Sequence, residues 1–208
     1  MIPKIVHQSY KDKDSIPHFF LQSPKLIKEY MPDWDYKFWS DEHIDKFIKY
    51  NYPYGYDKWI ELTPKIKRID VSRYYILHYF GGVYMDMDFH LKKDIEPILK
   101  DANIFSYKPY QAVVKGWDFF GNAFMATEKE EPFWLDLINW IYEQPSQDHV
   151  LQHTGPRGIG KFLVDKPQYN THIFSHDTFC NSHCGDGIGK GEYGVHIRAA
   201  TWQRNKEK

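Results

Sequence analysis

The stretch "RIDVSRYYILHYFGGVYMDMDFH" (Arg68 to His90) changes its period halfway along, and that change decides the fold. Up to Phe80 the apolar residues recur at helical spacing, with Ile66, Ile69, Ile76, Leu77 and Phe80 on one stripe. Thr63 and Pro64 supply a start signal, as N-cap and first helical residue, and Gly81 supplies the stop. Arg68 and Tyr79 point away from that stripe, but Arg73 falls in its middle, with Asp70 at its edge one turn earlier. A charge on an apolar face is costly unless it is paired or lines a wet site. Past Gly81-Gly82 the period becomes two. Val83, Met85, Met87 and Phe89 then share one face of an expected strand, and Tyr84, Asp86, Asp88 and His90 share the other.

Working outward, "IPKIVH" (residues 2–7) reads as a first strand whose carboxyl end carries His7 and Gln8. In open α/β sheets that end is where ligands bind. Residues 18–30 and 40–50 read as helices, the second started by Ser40 ahead of Asp41, Glu42 and His43. "MPDWDYKFW" between them suits a short strand. Further on, "NIFSY" and "WDFFGNAFMAT" suggest two strands, 129–142 a helix, "TGPRGIG" the entry to a short helix, and "THIFS" another strand. "CGDGIGKGEYG" reads as a glycine loop before a closing strand, "VHIRAATW". Strands alternating with helices imply an α/β fold with a mixed, mostly parallel sheet, in one domain covering residues 1–208.

Composition narrows the function classes. A formal net charge of −1 carries no nucleic-acid footprint. Aromatic content of 18% is high; a filled core accounts for it, although sugar-handling proteins also use rings against pyranose faces. Two cysteines, Cys180 and Cys184, are too few for a disulfide framework, and no 18-residue apolar run is present. With no basic-then-apolar leader, the expectation is a soluble, cytoplasmic protein.

The Asp-x-Asp spacing by itself decides little, because the chain has three such tripeptides: Asp12 with Asp14, Asp33 with Asp35, and Asp86 with Asp88. The first two lie in polar, turn-like settings. The third places two carboxylates on one strand face, where they repel unless a cation or a shared proton intervenes. A hard divalent ion, Mn²⁺ or Mg²⁺, satisfies such a pair, usually with substrate phosphates as further ligands. A solvated strand end carrying two acids remains the plain alternative.

"GPRGIGK" (Gly155 to Lys161) approaches a phosphate loop, but Phe162 stands where the metal-binding hydroxyl belongs, which excludes the nucleotide-triphosphatase reading. Amides after Gly155 suit either an anion or an ordinary helix start. "HDTFCNSHC" (His176 to Cys184) has no common zinc spacing and reads as a loop. The glycines from Gly185 to Gly194 lack the setting of a dinucleotide fingerprint. His196 alone reads as a half-buried histidine.

Taken in order, "IPKIVHQSY", "RIDVSRYYILHYFGGVYMDMD", "GNAFMAT", "TGP" and "VHIRAATW" resemble glycosyltransferase family 32, the Asp-x-Asp sugar-binding transferases. That family includes yeast-type mannosyltransferases, bacterial capsular polysaccharide and lipopolysaccharide transferases and, more distantly, the clostridial glucosylating toxins. The resemblance runs from Ile2 to Trp202 and implies a GT-A, Rossmann-like sheet flanked by helices. It implies a polysaccharide-biosynthesis type of reaction: metal-dependent transfer of a hexose from a UDP- or GDP-sugar to an acceptor hydroxyl, with retention. It places Asp70 and Arg73 at the donor sugar, with Asp88 as the third catalytic residue, and Tyr84 and Asp86 at the nucleoside and ribose. It puts Asn122 near the sugar, His7 and Gln8 at the nucleotide, and Gly155, Thr201 and Trp202 by the diphosphate. Asp86, Asp88 and His196 become the metal ligands. Thr201 departs from the family's usual serine. The acceptor implied is a glycan, lipid-linked or protein hydroxyl, reached with at most peripheral membrane contact and no nucleic acid.

Two other classes stay open on residues alone. Asp86 and Asp88 also suit a metal-dependent hydrolase of sugar nucleotides or phosphoesters. The aromatic content suits a non-catalytic carbohydrate-binding protein.

Overall fold

Helix hands over to sheet at the double glycine. The structure is a computed structural model, and it describes residues 1–107, 120–145, 149–181 and 191–197. Gly81 and Gly82 both have positive φ, 63° and 84°. A Cβ on Gly82 would stand 2.5 Å from the Ile5 carbonyl oxygen, so the turn needs glycine for conformation and for space alike.

Six strands form the main sheet: β1 (Ile5–Ser9), β2 (Asp35–Trp39), β3 (Gly82–Met85), β5 (Ile104–Tyr107), β6 (Phe124–Thr127) and β7 (Thr171–Phe174). Their order is β2-β1-β3-β6-β5-β7. β6 pairs antiparallel with both neighbours and the remaining pairs are parallel. Five strands thus run one way, and β6 enters the sheet from the edge where β1, β3 and β5 leave it. This is the mixed, mostly parallel α/β sheet expected from the sequence.

One face packs on helices α2 (Asp41–Asn51), α3 (Pro53–Glu61), α4 (Lys65–Phe80), α5 (Pro132–Glu143), and, after the short α6 (Val150–His153), α7 (Pro156–Asp165). Tyr84 and Met125 come from the sheet into this core, which is full of rings; Tyr74 stacks on Trp134 at 5.7 Å. Such a pair adds about 1 kcal/mol beyond its burial, so the aromatics chiefly build the interior. The opposite face is covered by α1 (Gln22–Tyr30) and a second sheet, β4 (Phe89–Leu91), β8 (Phe179–Asn181) and β9 (Gly194–His196), in the order β4-β9-β8. Val83 and Met85 point into that second core, one residue out of phase with Tyr84, as period two requires.

Several expectations need correction. The strand expected from Val83 to His90 stops at Met85. The Phe89 amide donates to the Asp86 carbonyl at 3.0 Å, closing a turn, and Phe89 then begins β4 in the other sheet. A turn therefore gathers the two acids, not strand alternation. α4 starts at Lys65 with Pro64 in the cap position, because the extended backbone of Pro64 (ψ 166°) lies outside the helix. Besides Lys67, its buried residues run from Asp70 to Leu77 without a break, where a single stripe was expected; the sheet lies on one side and α2, α3, α5 and α6 on others. α3 and β8 were not anticipated. Gly55 between Tyr54 and Tyr56 hid the helix, and "FCN" is too short to show a period. The expected glycine loop falls mostly outside the described residues, as do Cys184, Thr201 and Trp202.

Candidate active site

Ser9, Asp86, Asn122 and Tyr107 all sit at one edge of the main sheet. β1, β3 and β5 deliver their carboxyl ends there, and the reversed β6 delivers the residues before its start. α4 runs above this edge and contributes Asp70 and Arg73, three residues apart and so on one helical face.

The Arg73 guanidinium is the hub. Its Nη2 lies 3.1 Å from Asp86 Oδ1 and 3.9 Å from Asp70 Oδ1, and its Nη1 donates to the Asn122 carbonyl at 2.9 Å. The cation also sits 4.9 Å from the Tyr84 ring centroid. Arg73 Nε is buried with no hydrogen-bond partner among the described residues. A charge in the middle of a helix face is thus paired with two carboxylates.

Asp70 is held from two sides. Asn122 Nδ2 donates to its Oδ1 at 3.0 Å, and the Thr154 hydroxyl donates to its Oδ2 at 2.9 Å. Burial raises the Asp70 carboxyl above the usual range, opposed by Arg73 and by the two hydrogen bonds. Tyr74 fixes Thr154 in turn by donating to its carbonyl.

Asp86, Asp88 and His196 form the second half. Each offers a ligand atom, and these atoms lie within 4.8 Å of one another. His196 Nε2 stands 3.3 Å from Asp88 Oδ1, and the other ring nitrogen, Nδ1, is 2.7 Å from the Tyr107 hydroxyl. Antiparallel pairing of β9 with β4 sets Phe89 opposite His196, and the Ile197 amide donates to the Asp88 carbonyl. Residues more than a hundred apart in sequence therefore meet in register. Burial pushes the Asp86 carboxyl up to about 6; Arg73 opposes this and the neighbouring Asp88 charge adds to it. Two carboxylates and an imidazole, with one acid pushed up partly by the other, are a donor set that suits a hard divalent ion.

His7 and Gln8 make their hydrogen bonds away from these charged side chains. Both are fully buried. Trp39 Nε1 donates to His7 Nδ1 at 3.2 Å, and His7 Nε2 bonds the Gly81 carbonyl at 3.0 Å, so the ring is neutral and tied to the double-glycine turn. Gln8 Nε2 donates to Ser23 Oγ and to the Asp86 carbonyl, at 2.8 and 3.2 Å, while Tyr36 donates to its Oε1. These two side chains brace the turn and the acidic loop from behind. Tyr84 is also buried, its hydroxyl 2.7 Å from Ser9 Oγ and 3.4 Å from Asp86 Oδ1. The Gly155 amide donates to the Val150 carbonyl at 3.1 Å, and a Cβ there would meet the Leu151 Cα at 3.0 Å. Thr201 and Trp202 lie outside the described residues.

The sequence reading missed Ser9, Tyr107 and Thr154. Ser9 was findable, since it follows His7 on the same strand face. Thr154 opens the "TGP" string from which Gly155 alone was chosen. Tyr107 had no local signal; only the pairing of sheets brings it to His196.

Comparison with known proteins gives this geometry a family. Residues 17–105 match the family described as "Glycosyltransferase sugar-binding region containing DXD motif". Mannosyl phosphorylinositol ceramide synthase CSH1 of Saccharomyces cerevisiae is 39% identical over 164 residues, covering 75% of this chain and 41% of the relative. Inositol phosphoceramide mannosyltransferase 3 of Schizosaccharomyces pombe is 32% identical over 162 residues, covering 74% of this chain and 43% of the relative. The chain thus spans about two-fifths of the length of these relatives. Among solved structures, PaToxG glycosyltransferase superposes with a TM-score of 0.62 at 19% identity, over 80% of this chain and 70% of that one. A glycosyltransferase involved in glycosylating the major capsid of PBCV-1 gives 0.55 at 12% identity, over 98% and 97%. These likenesses show the GT-A fold. The chain belongs to the family-32-like glycosyltransferases whose sugar-binding region carries a DXD motif.

Proposed function

We propose that this protein transfers a hexose from a nucleotide-sugar donor, a UDP- or GDP-sugar, to an acceptor hydroxyl, with a divalent ion bound. The observation that carries the reading is the meeting of Asp86, Asp88 and His196 beside the Arg73–Asp70 pair. Asp86, Asp88 and His196 would hold Mn²⁺ or Mg²⁺. Such an ion supplies positive charge to a departing diphosphate. Asp70, clamped by Asn122 and Thr154, accepts hydrogen bonds from the sugar hydroxyls and fixes the ring. Arg73 places its positive charge beside the same ligand through its Nη groups, and charge-assisted pairs of this kind orient as well as bind. The buried flank formed by Tyr84 keeps water from that side of the pair.

Retention is part of the proposal. As the anomeric carbon–oxygen bond breaks, its electron pair goes to the diphosphate. The acceptor oxygen bonds the same face of the carbon, and its proton passes to the departing diphosphate oxygen. Isolation of a covalent sugar–enzyme intermediate would contradict this route. The names of the two fungal relatives support mannose as the sugar and an inositol phosphoceramide lipid as the acceptor class. Among the described residues no helix is long and apolar enough to cross a membrane, and peripheral contact with a lipid acceptor fits that. A cytoplasmic location is proposed on cysteine usage alone.

Incubation with a panel of UDP- and GDP-hexoses, with and without lipid and glycan acceptors, tests the reaction. The expected result is Mn²⁺- or Mg²⁺-dependent transfer that exceeds acceptor-free hydrolysis. Release of free sugar at the same rate with or without acceptor would favour a hydrolase.

A further inference from the structure

We infer that Tyr107 is a positioning residue for the metal site: its hydroxyl holds His196 so that Nε2 faces the two carboxylates. This rests on the proposed metal role of Asp86, Asp88 and His196. The Tyr107 hydroxyl lies 2.7 Å from His196 Nδ1, while His196 Nε2 lies 3.3 Å from Asp88 Oδ1. An imidazole can ligate through Nε2 only when its remaining proton is on Nδ1, and that proton needs an acceptor. The tyrosine oxygen accepts it. A hydroxyl, unlike a carboxylate, also donates, so it satisfies Nδ1 equally when Nε2 keeps its proton toward Asp88. Tyr107 thus serves the ring both with and without an ion.

The surroundings fix the hydroxyl in place. Tyr107 ends β5 and is 2% exposed, its ring edge-to-face with Phe89 at 5.8 Å and with His196 at 5.9 Å. Phe89 also stacks on His196, with centroids 5.9 Å apart and planes at 20°, so two rings pack against the imidazole. Gly121 donates its amide to the Tyr107 carbonyl at 3.0 Å, and a Cβ on Gly121 would come within 2.4 Å of the tyrosine ring. The close approach that seats Tyr107 therefore requires glycine at 121.

A matched control exists in the same molecule. Tyr52, on the far side of the main sheet, bonds His78 Nδ1 through its hydroxyl, also at 2.7 Å. Mn²⁺ binding to the full chain, without nucleotide, is measured by electron paramagnetic resonance titration for the unaltered protein, Tyr107→Phe and Tyr52→Phe. Removing an orienting partner of a metal ligand costs about 10- to 100-fold in affinity. Tyr107→Phe is expected to weaken Mn²⁺ binding by at least about tenfold, with Tyr52→Phe unchanged. Nitrogen-15 shifts of His196 are expected to move toward a tautomer mixture in Tyr107→Phe alone. Equal Mn²⁺ affinity in the unaltered protein and Tyr107→Phe overturns the inference and leaves the metal reading intact. Equal loss in both variants shows a general effect of losing a buried hydroxyl and overturns it too. No Mn²⁺ binding by the unaltered protein overturns the metal reading, and this inference with it.

Discussion

His7 shows how a residue's chemistry and its place can point in different directions. As a polar residue at a strand's carboxyl end it had the profile of a ligand contact, yet it is sealed between Trp39, Phe80 and the Gly81 carbonyl. Burial lowers its pKa to about 4, against a raising contribution from the Gly81 hydrogen bond. A histidine held neutral in the fold gives stability that is present above its unfolded value of 6.5 and is lost as pH falls toward 4. The shift corresponds to about 3 kcal/mol at pH 4. Urea denaturation at pH 7 and pH 4 should therefore show the unaltered protein losing about 3 kcal/mol more than His7→Gln, which retains a donor and an acceptor. Parallel losses in the two proteins would show that His7 is not the acid-sensitive group. Asp70, Arg73, Asp86, Asp88, Asn122 and His196, in contrast, come together as the sequence led one to expect. Arg73 and the Asp86–Asp88 pair were polar residues whose expected positions demanded a partner, whereas Asn122 and His196 came in only through the family resemblance. His7 gave the same signal, because a buried polar side chain with protein partners and one lining a site look alike until the neighbours are known.

At the scale of elements, period and punctuation carried most of the information. β1, β2, α2, α4, β5, β6, α5, α7 and β7 all lie where spacing, caps or glycine placed them. The break after Met85 was invisible, because "VYMDMDFH" alternates perfectly; what ends the strand is a turn bonded through Asp86 and the departure of Phe89 into the other sheet. That partner strand comes from a residue range a hundred positions away, beyond the reach of any local pattern. The double glycine was read correctly, and its geometry makes a demand that can be measured. Gly82→Ala places a Cβ at positive φ and 2.5 Å from the Ile5 oxygen. The expected loss is about 3 kcal/mol of unfolding free energy, at the high end for single substitutions. Chemical denaturation checks this, and a loss under about 0.5 kcal/mol would mean that the turn relaxes without disturbing β1 and β3.

For the whole molecule, the site exists because two sheets meet. The main sheet and α4 supply Asp70, Arg73, Asp86 and Asn122, while the small sheet supplies His196 and, through the turn before β4, Asp88. Asp70, Arg73 and Asp86 thus come from one layer and Asp88 and His196 from the other, and the Asp86–Arg73 contact at 3.1 Å ties the acidic cluster to α4. Fold class followed from strands alternating with helices; the second sheet did not, since its strands have three residues each and pair across long gaps. Of the chain's three Asp-x-Asp tripeptides, only the one bridging the layers is expected to bind metal, and this is the central claim. Thermal unfolding is measured with UDP and with GDP, each with and without Mn²⁺, for the unaltered protein, Asp88→Ala and Asp33→Ala. The account predicts a nucleotide-dependent stabilisation that requires Mn²⁺, is retained by Asp33→Ala and is abolished in Asp88→Ala. A shift that ignores Mn²⁺, or that survives in Asp88→Ala as fully as in Asp33→Ala, would contradict it.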